Sequence, residues 1–335
     1  MQLIDNFGRT INYVRLSVTD RCDLRCVYCM AEDMTFLPRA EVLTIEELAT
    51  LGETFVGLGV TKLRITGGEP LVRRGIIDLL ERLGRLPGLK ELCLTTNGTH
   101  LPRYAQAIKE AGVDRINISL DSLNPERFRQ LTRFGDINQV LDGIKAAQAA
   151  GFKRIKLNCV ALKHYNADEV PALVQFALDE GLDISFIEEM PLGRIDEHGR
   201  AAEFVSSDEL RAAISQQHSL QPIVHDDSGE NTTNAGPARY WRAQGYASKI
   251  GFISPHSNNF CSSCNRVRVT ATGRLLLCLG QENSVDLRET LRTSSNLTTD
   301  LRTRIINAMH HKPEKHTFDL ADEPQIVRFM NMTGG

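Results

Sequence analysis

The sequence predicts an α/β protein: six βα units forming a partial (βα)6 TIM-like barrel around a polar cavity, followed by a C-terminal α+β appendage. Three observations predict it. Strand-like and helix-like segments alternate from about residue 12 to about residue 190, which is the pattern of parallel βα units. The strands are apolar on one face only. After about residue 190 the alternation fades into polar loops, a β-rich stretch and a helix.

Taken in order, the first strand is YVRLSV. Side chains alternate faces along a strand, so Leu16 and Val18 oppose Arg15, Ser17 and Thr19. A helical pattern follows in TIEELATLGETFVGLG. The strand KLRIT sets Leu63 and Ile65 against Lys62, Arg64 and Thr66, and the helix GIIDLLERLG follows it. ELCLTT sets Leu92 and Leu94 against Cys93 and Thr95, with Asn97 just beyond, and leads to YAQAIKEAG. RINISLD sets Ile116, Ile118 and Leu120 against Arg115, Asn117, Ser119 and Asp121, and leads to QVLDGIKAAQAAG. RIKLNCVAL opposes Ile155 and Leu157 to Arg154, Lys156 and Asn158, and leads to ADEVPALVQFALDEG; DISFIEE is the sixth strand. Several of these helices end in Gly, a common helix stop.

Strands covered by helices on both faces are apolar on both. These carry cations and hydroxyls on the second face, which suits a barrel whose interior holds a ligand. Several cations buried together are costly unless an anion meets them, so the ligand is expected to be anionic. Beyond the sixth strand, PLGRIDEHGRAAEF and HDDSGENTTNAGPA read as polar loops. SSDELRAAISQQ between them reads as a helix with Ser206 or Ser207 as N-cap. The expected division is 1–224 for the barrel and 225–335 for the appendage, whose helix is TTDLRTRIINAMHH.

A net charge of -3 with 24% charged residues gives no basic field for nucleic acid. No secretory signal opens the chain, and no apolar run is long enough to span a bilayer. We expect a cytoplasmic protein that binds neither DNA nor membrane. In that compartment eight cysteines are not expected to pair as disulfides. Cys93 and Cys159 stand alone in strands, as small core residues do. The other six form two triplets, Cys22/Cys26/Cys29 and Cys261/Cys264/Cys278.

Each triplet is one thiolate short of a structural zinc site. No His lies near the first; His256 could complete a zinc ribbon at the second. A [4Fe–4S] cube is the other reading, with three thiolates leaving one iron open. GGEP at 67–70 follows the strand of Lys62 and Arg64; its glycines let backbone approach a ligand closely, and Glu69 offers a carboxylate to an ammonium group. At the second triplet Arg266 and Arg268 share one strand face, as phosphate-binding arginines would.

The C-x3-C-x2-C spacing with Tyr28 before the last cysteine, and GGEP after the second strand, resemble the radical S-adenosylmethionine (SAM) superfamily. The likeness extends through LRITGGEPLVRR, LTTNG, INISLDSL, FIEEM and FCSSCNRVRV to the terminal Gly-Gly. It points to the branch of that superfamily that opens molybdenum cofactor biosynthesis. The resemblance implies the radical SAM partial barrel and two [4Fe–4S] clusters on the six cysteines. SAM would bind the open iron of the first and yield a 5′-deoxyadenosyl radical; the second would bind the guanine of GTP. The implied SAM contacts are Tyr28, Gly68, Ser119 and Met190, with Glu69 beside them. The implied GTP contacts are Arg15, Arg64, Thr95, Lys156, Arg266, Val267 through its backbone, and Arg268, with Lys62 added from its strand face. Arg266, Arg268, Gly334 and Gly335 are expected to act in catalysis, the tail reaching into the active site. Ser185 stands where some relatives carry Arg. A flavodoxin or ferredoxin as electron donor, hand-off to cyclic pyranopterin monophosphate synthase and a homodimer complete the expectations.

Overall fold

A computed structural model describes residues 2–193, 195, 199–224, 236–319 and 326–334. The six expected strands form where the alternation placed them: β1 Tyr13–Ser17, β2 Lys62–Thr66, β3 Glu91–Thr96, β4 Arg115–Ser119, β5 Ile155–Ala161 and β6 Asp183–Glu188. They pair in sequence order, all parallel. The later strands are β7 Leu220–Pro222, β8 Ala238–Ala243, β9 Lys249–Ile253, β10 Arg266–Val269, β11 Arg274–Leu276 and β12 Ser284–Asp286. β10 joins β1 and β9 joins β6, both parallel, while β11–β12 and β8–β7 continue antiparallel outward. The C-terminal region therefore extends the barrel sheet at both of its edges, in the order β12-β11-β10-β1-β2-β3-β4-β5-β6-β9-β8-β7.

The helices are α1 Ile45–Gly57, α2 Ile76–Gly84, α3 Leu101–Glu110, α4 Pro125–Thr132, α5 Ile137–Ala149, α6 Val170–Asp179, α7 Arg200–Glu203, α8 Ser207–Ser215, α9 Leu287–Thr293, α10 Leu297–Met309 and α11 Met330–Thr333. Local chemistry sets their starts. Thr44 and Glu47 close a capping box on α1, and Ser206 with Glu209 closes another on α8. Asn124 caps α4 with Pro125 at its first position. The apolar strand face, including Leu16, Leu63, Ile65, Leu94, Ile118 and Leu157, packs without exposure against Leu48, Leu51, Phe55 and their neighbours on the helices. Burial of this kind contributes about 1.5–3 kcal/mol per large aliphatic side chain. The core thus lies between sheet and helices, and the other sheet face is left to the cavity. The polar segment expected at 225–238 falls largely outside the described residues.

Candidate active site

The polar strand faces enclose one cavity of about 1610 Å³, lined from every strand from β1 to β6 and from β10. Both cysteine triplets line it. Cys22, Cys26 and Cys29 follow the C-terminal end of β1, whereas Cys261 and Cys264 precede the N-terminal end of β10, its parallel neighbour. The triplets therefore sit at opposite ends of the strands, separated by a five-residue strand of roughly 16 Å.

The first triplet lies on a loop pinned to α4: Arg25 N donates to Thr132 O at 3.0 Å and Val27 N to Leu131 O at 2.9 Å. Leu24 N points at Cys22 Sγ, 3.4 Å away. Tyr28 Oη donates to buried Asp121 at 2.7 Å. Burial raises all three thiols, helped by Glu69 at Cys22 and by Asp121 at Cys26; Cys29 is pushed up to about 12. The second triplet sits in the opposite field. Burial raises Cys264, but Arg266 and Lys312 outweigh it and bring the thiol down to about 7. Arg9 donates to Cys261 O at 2.9 Å, holding that loop from the N-terminal segment.

Between the triplets lie the cations. Strand register sets Arg268, Arg15 and Arg64 abreast on β10, β1 and β2, continuing through Cys93 to Arg115. A second row sets Thr95, Asn117 and Lys156 side by side. Like charges directly opposite repel, and burial adds to the cost. Burial, with Arg115 and Arg64, lowers Lys156 to about 7. Arg15 falls to about 10 chiefly through burial, against the opposite pull of Tyr13, with Arg64 and Arg266 adding to the fall. Arg64 donates to Tyr13 Oη at 2.6 Å and to Thr95 Oγ1 at 3.1 Å. Burial opposes ionisation of that phenol, yet Arg64, Arg15 and Lys62 bring it down to about 7. Arg15 Nε, Asn117 Oδ1 and Asn158 Oδ1 are buried without a hydrogen-bond partner. Unsatisfied buried groups are rare in folded proteins, and these belong to residues of the cavity wall, which suits a polar ligand.

The structure brings most of the expected site residues to this cavity: Tyr28, Gly68, Ser119 and Met190, and Arg15, Lys62, Arg64, Thr95, Lys156, Arg266, Val267 and Arg268. Lys62 is committed to an ion pair with Glu91, which also faces Arg115 and Arg154. Glu69 does not reach the cavity wall. It is fully buried and accepts from Leu71 N, Thr96 Oγ1 and Asn97 N at 2.7–2.9 Å, fixing the end of β3. The close approach that GGEP allows is to protein backbone: a Cβ on Gly67 would stand 2.4 Å from Thr19 O, and one on Gly68 2.3 Å from Arg21 O. The GGEP loop thus stacks on the loop leading to Cys22. Gly334 is not among the residues lining the cavity; it is buried behind Arg268, which lines it, and its carbonyl accepts from that side chain. Gly335 lies outside the described residues. Ser185 is not among the residues lining the cavity; it is buried on β6 with its Oγ against Gly251, near the Tyr240 ring.

The donor sets test which metal group fits. Among the described residues, no three His, Cys, Asp or Glu side chains gather closely enough to hold a single metal ion. His256, the candidate zinc ligand, spends its Nε2 on Glu189 O at 2.9 Å. Each triplet offers three free thiols at the cavity, a donor set of the kind that holds iron–sulfur clusters. The residues that sequence reasoning missed are among those holding these loops: α4, Arg9 and Lys312.

Comparison with known proteins adds the following. Residues 16–177 match the Radical SAM superfamily, and residues 182–318 match Molybdenum Cofactor Synthesis C. The chain is 60% identical over 333 residues to the GTP 3′,8-cyclase of Saccharophagus degradans, covering 99% of this chain and 98% of that one. It is 58% identical over 334 residues to the GTP 3′,8-cyclase of Pseudomonas putida, with the same coverage. In fold it resembles SuiB of Streptococcus suis, in a structure bound to S-adenosylmethionine, with a TM-score of 0.60 and 15% identity over 89% of this chain and 69% of that one.

Proposed function

The chain belongs to the GTP 3′,8-cyclase family of the radical SAM superfamily, and on that premise we propose how its cavity divides the work. The reaction converts GTP to (8S)-3′,8-cyclo-7,8-dihydroguanosine 5′-triphosphate, the first step of molybdenum cofactor biosynthesis. Hydrogen leaves C3′, a C3′–C8 bond forms, and the ring takes up one electron and one proton, so the product is an isomer of the substrate. The observation that carries the proposal is the single cavity with thiol triplets at its two ends and abreast arginines between them.

Cys22, Cys26 and Cys29 hold one [4Fe–4S] cluster; when bound with SAM, it supplies the electron and the 5′-deoxyadenosyl radical that takes a hydrogen atom from the substrate. Gly68, Ser119, Met190 and Tyr28 form the wall against SAM, and Glu69 acts through the loop it holds rather than by contact. Cys261, Cys264 and Cys278 hold a second [4Fe–4S] cluster beside the base, with Arg266, Arg268 and the Val267 backbone orienting it. Arg15, Arg64, Thr95 and Lys156 receive the triphosphate. Charged hydrogen bonds contribute about 1.5–3 kcal/mol each, and the triphosphate neutralises cations that otherwise repel one another. Lys62 serves as a reserve cation through Glu91. The walls keep water and small reductants from the radical. Gly334, held through its carbonyl by Arg268, and the Gly335 that follows it in sequence act in catalysis.

An electron donor of the flavodoxin or ferredoxin kind, release of product to cyclic pyranopterin monophosphate synthase, a homodimeric state and a cytoplasmic setting complete the proposal. Among the described residues no helix is long and apolar enough to cross a membrane. The test is anaerobic reconstitution followed by metal analysis and a product assay with GTP and SAM. About eight irons per chain and formation of the cyclised triphosphate are expected. Iron near four per chain, or a product from a peptide rather than GTP, overturns the reading.

A further inference from the structure

Lys312 follows α10 and is 3% exposed. Its ammonium donates to Leu277 O at 2.5 Å, to Arg266 O at 3.1 Å and to Cys264 Sγ at 3.6 Å. These bonds join the two limbs of the second triplet, one carrying Cys264 and the other leading to Cys278. None of them goes to a carboxylate. A buried ammonium is costly unless an opposite charge meets it, and carbonyl oxygens supply dipoles but no charge. The anion within reach is a cysteine sulfur, which is a thiolate when it ligates metal. Arg266 and Arg9 stand nearby, so the second triplet lies in a cationic surround. Around the first, the charges that act on Cys22 and Cys26 are the carboxylates of Asp23, Glu69 and Asp121, and the nearby guanidinium of Arg25 is bonded to the carbonyls of Cys22 and Leu24 rather than to a sulfur.

We propose that Lys312 is a positioning residue of the second centre: it clamps the two limbs of the triplet and, as a cation bonded to the Cys264 sulfur, raises the reduction potential of the iron–sulfur cluster held there. Hydrogen bonds and positive charge at cluster sulfurs favour the more negative, reduced form, and partners that orient metal ligands commonly change metal affinity about 10–100-fold. The inference rests on the two-cluster reading above.

The experiment uses the full chain with Cys22→Ala, Cys26→Ala and Cys29→Ala, so that iron–sulfur signals arise from the second triplet alone. Reconstituted anaerobically, this chain is expected to hold about four irons. Adding Lys312→Met should shift the midpoint potential, read by spectroscopic redox titration, to more negative values. It should also speed iron loss to a chelator by on the order of tenfold. Lys312→Arg, which keeps the charge, should recover most of the potential. Lys312→Gln, a donor without charge, carries the same test where the Met variant does not fold. An unchanged potential in a folded, iron-loaded Met or Gln variant overturns the proposal, as does an Arg variant that behaves like Met. Absence of any iron–sulfur signal before Lys312 is altered removes the two-cluster reading itself, and the proposal with it.

Discussion

Arg268 Nη1 donates to the carbonyl oxygen of Gly334 at 2.6 Å, tying the penultimate residue of the chain to the central row of arginines. The tail reaches that point through two further anchors. Arg328 bonds the carbonyls of Leu279 and Gln281 beyond Cys278, and Asn331 Nδ2 bonds Asp20 O before Cys22. One short segment thus spans from the loop of one triplet to the loop of the other.

Gly334→Ala should therefore undock the tail. Gly334 has φ +72°, and a Cβ there would meet Thr66 Cγ2 at 2.1 Å. The left-handed backbone alone costs a non-glycine residue about 1–2 kcal/mol, and the clash adds to it. We expect cyclised product to fall by about tenfold or more while SAM cleavage continues without product. Chromatography of both products from one reaction reads the ratio; fully coupled turnover would remove the tail from the mechanism.

The two triplets should fail differently. Cys22→Ala is expected to lose about four irons and all SAM cleavage. Cys264→Ala is expected to lose a similar amount of iron, retain SAM cleavage and form no cyclised product. Identical phenotypes would mean that the triplets share one function.

The strands and the polar cavity were legible because period-two alternation is local: Leu63 and Ile65 against Arg64 and Thr66 can be read within five residues. The pairing of Tyr13 with Arg266 was not, since no local signal links positions so far apart in the chain, and that pairing puts the second triplet at the far end of the cavity from the first. Helix α4 was missed because PERFRQLT is short and mostly polar, and its use lies in the carbonyls of Leu131 and Thr132 that hold the first cysteine loop. Glu69 was read as facing a ligand; the fold turns it toward three protein donors instead. Lys312 stands in HHKPEK, where nothing in the pattern sets it apart from a solvated lysine.

Nucleotide binding should take up a proton near neutral pH. Lys156 is held near 7, mainly by burial, against 10.5 in the unfolded chain. Between those values the unfolded chain binds more protons, so this group's share of the stability of the unliganded protein rises with pH from about 7. A triphosphate favours the charged lysine and draws a proton back. Calorimetry of GTP binding at roughly pH 8 in buffers of different ionisation enthalpy should show uptake of up to about one proton, lost in Lys156→Met. The same proton count in both proteins would exclude Lys156 from the phosphate site.

The arginine row carries the last prediction, which concerns stability and binding together. Arg15 stands between Arg268 and Arg64 with its Nε unpartnered. In the free protein these neighbours repel it; at the effective dielectric of a partly wet site the repulsion is on the order of 1 kcal/mol or more. Arg15→Met keeps an unbranched stem, though a shorter one, and removes the charge, so the unliganded, cluster-loaded protein should melt about 2 °C higher. GTP reverses the balance, because a ligand that binds only the folded state stabilises it by about 2.7 kcal/mol at a hundredfold excess over Kd. That gain should be present in the parent chain and largely absent in Arg15→Met. Thermal melts with and without GTP give all four values. A variant less stable when empty would mean that Arg15 is already neutralised within the protein, and one that kept the full GTP shift would place the triphosphate elsewhere in the cavity.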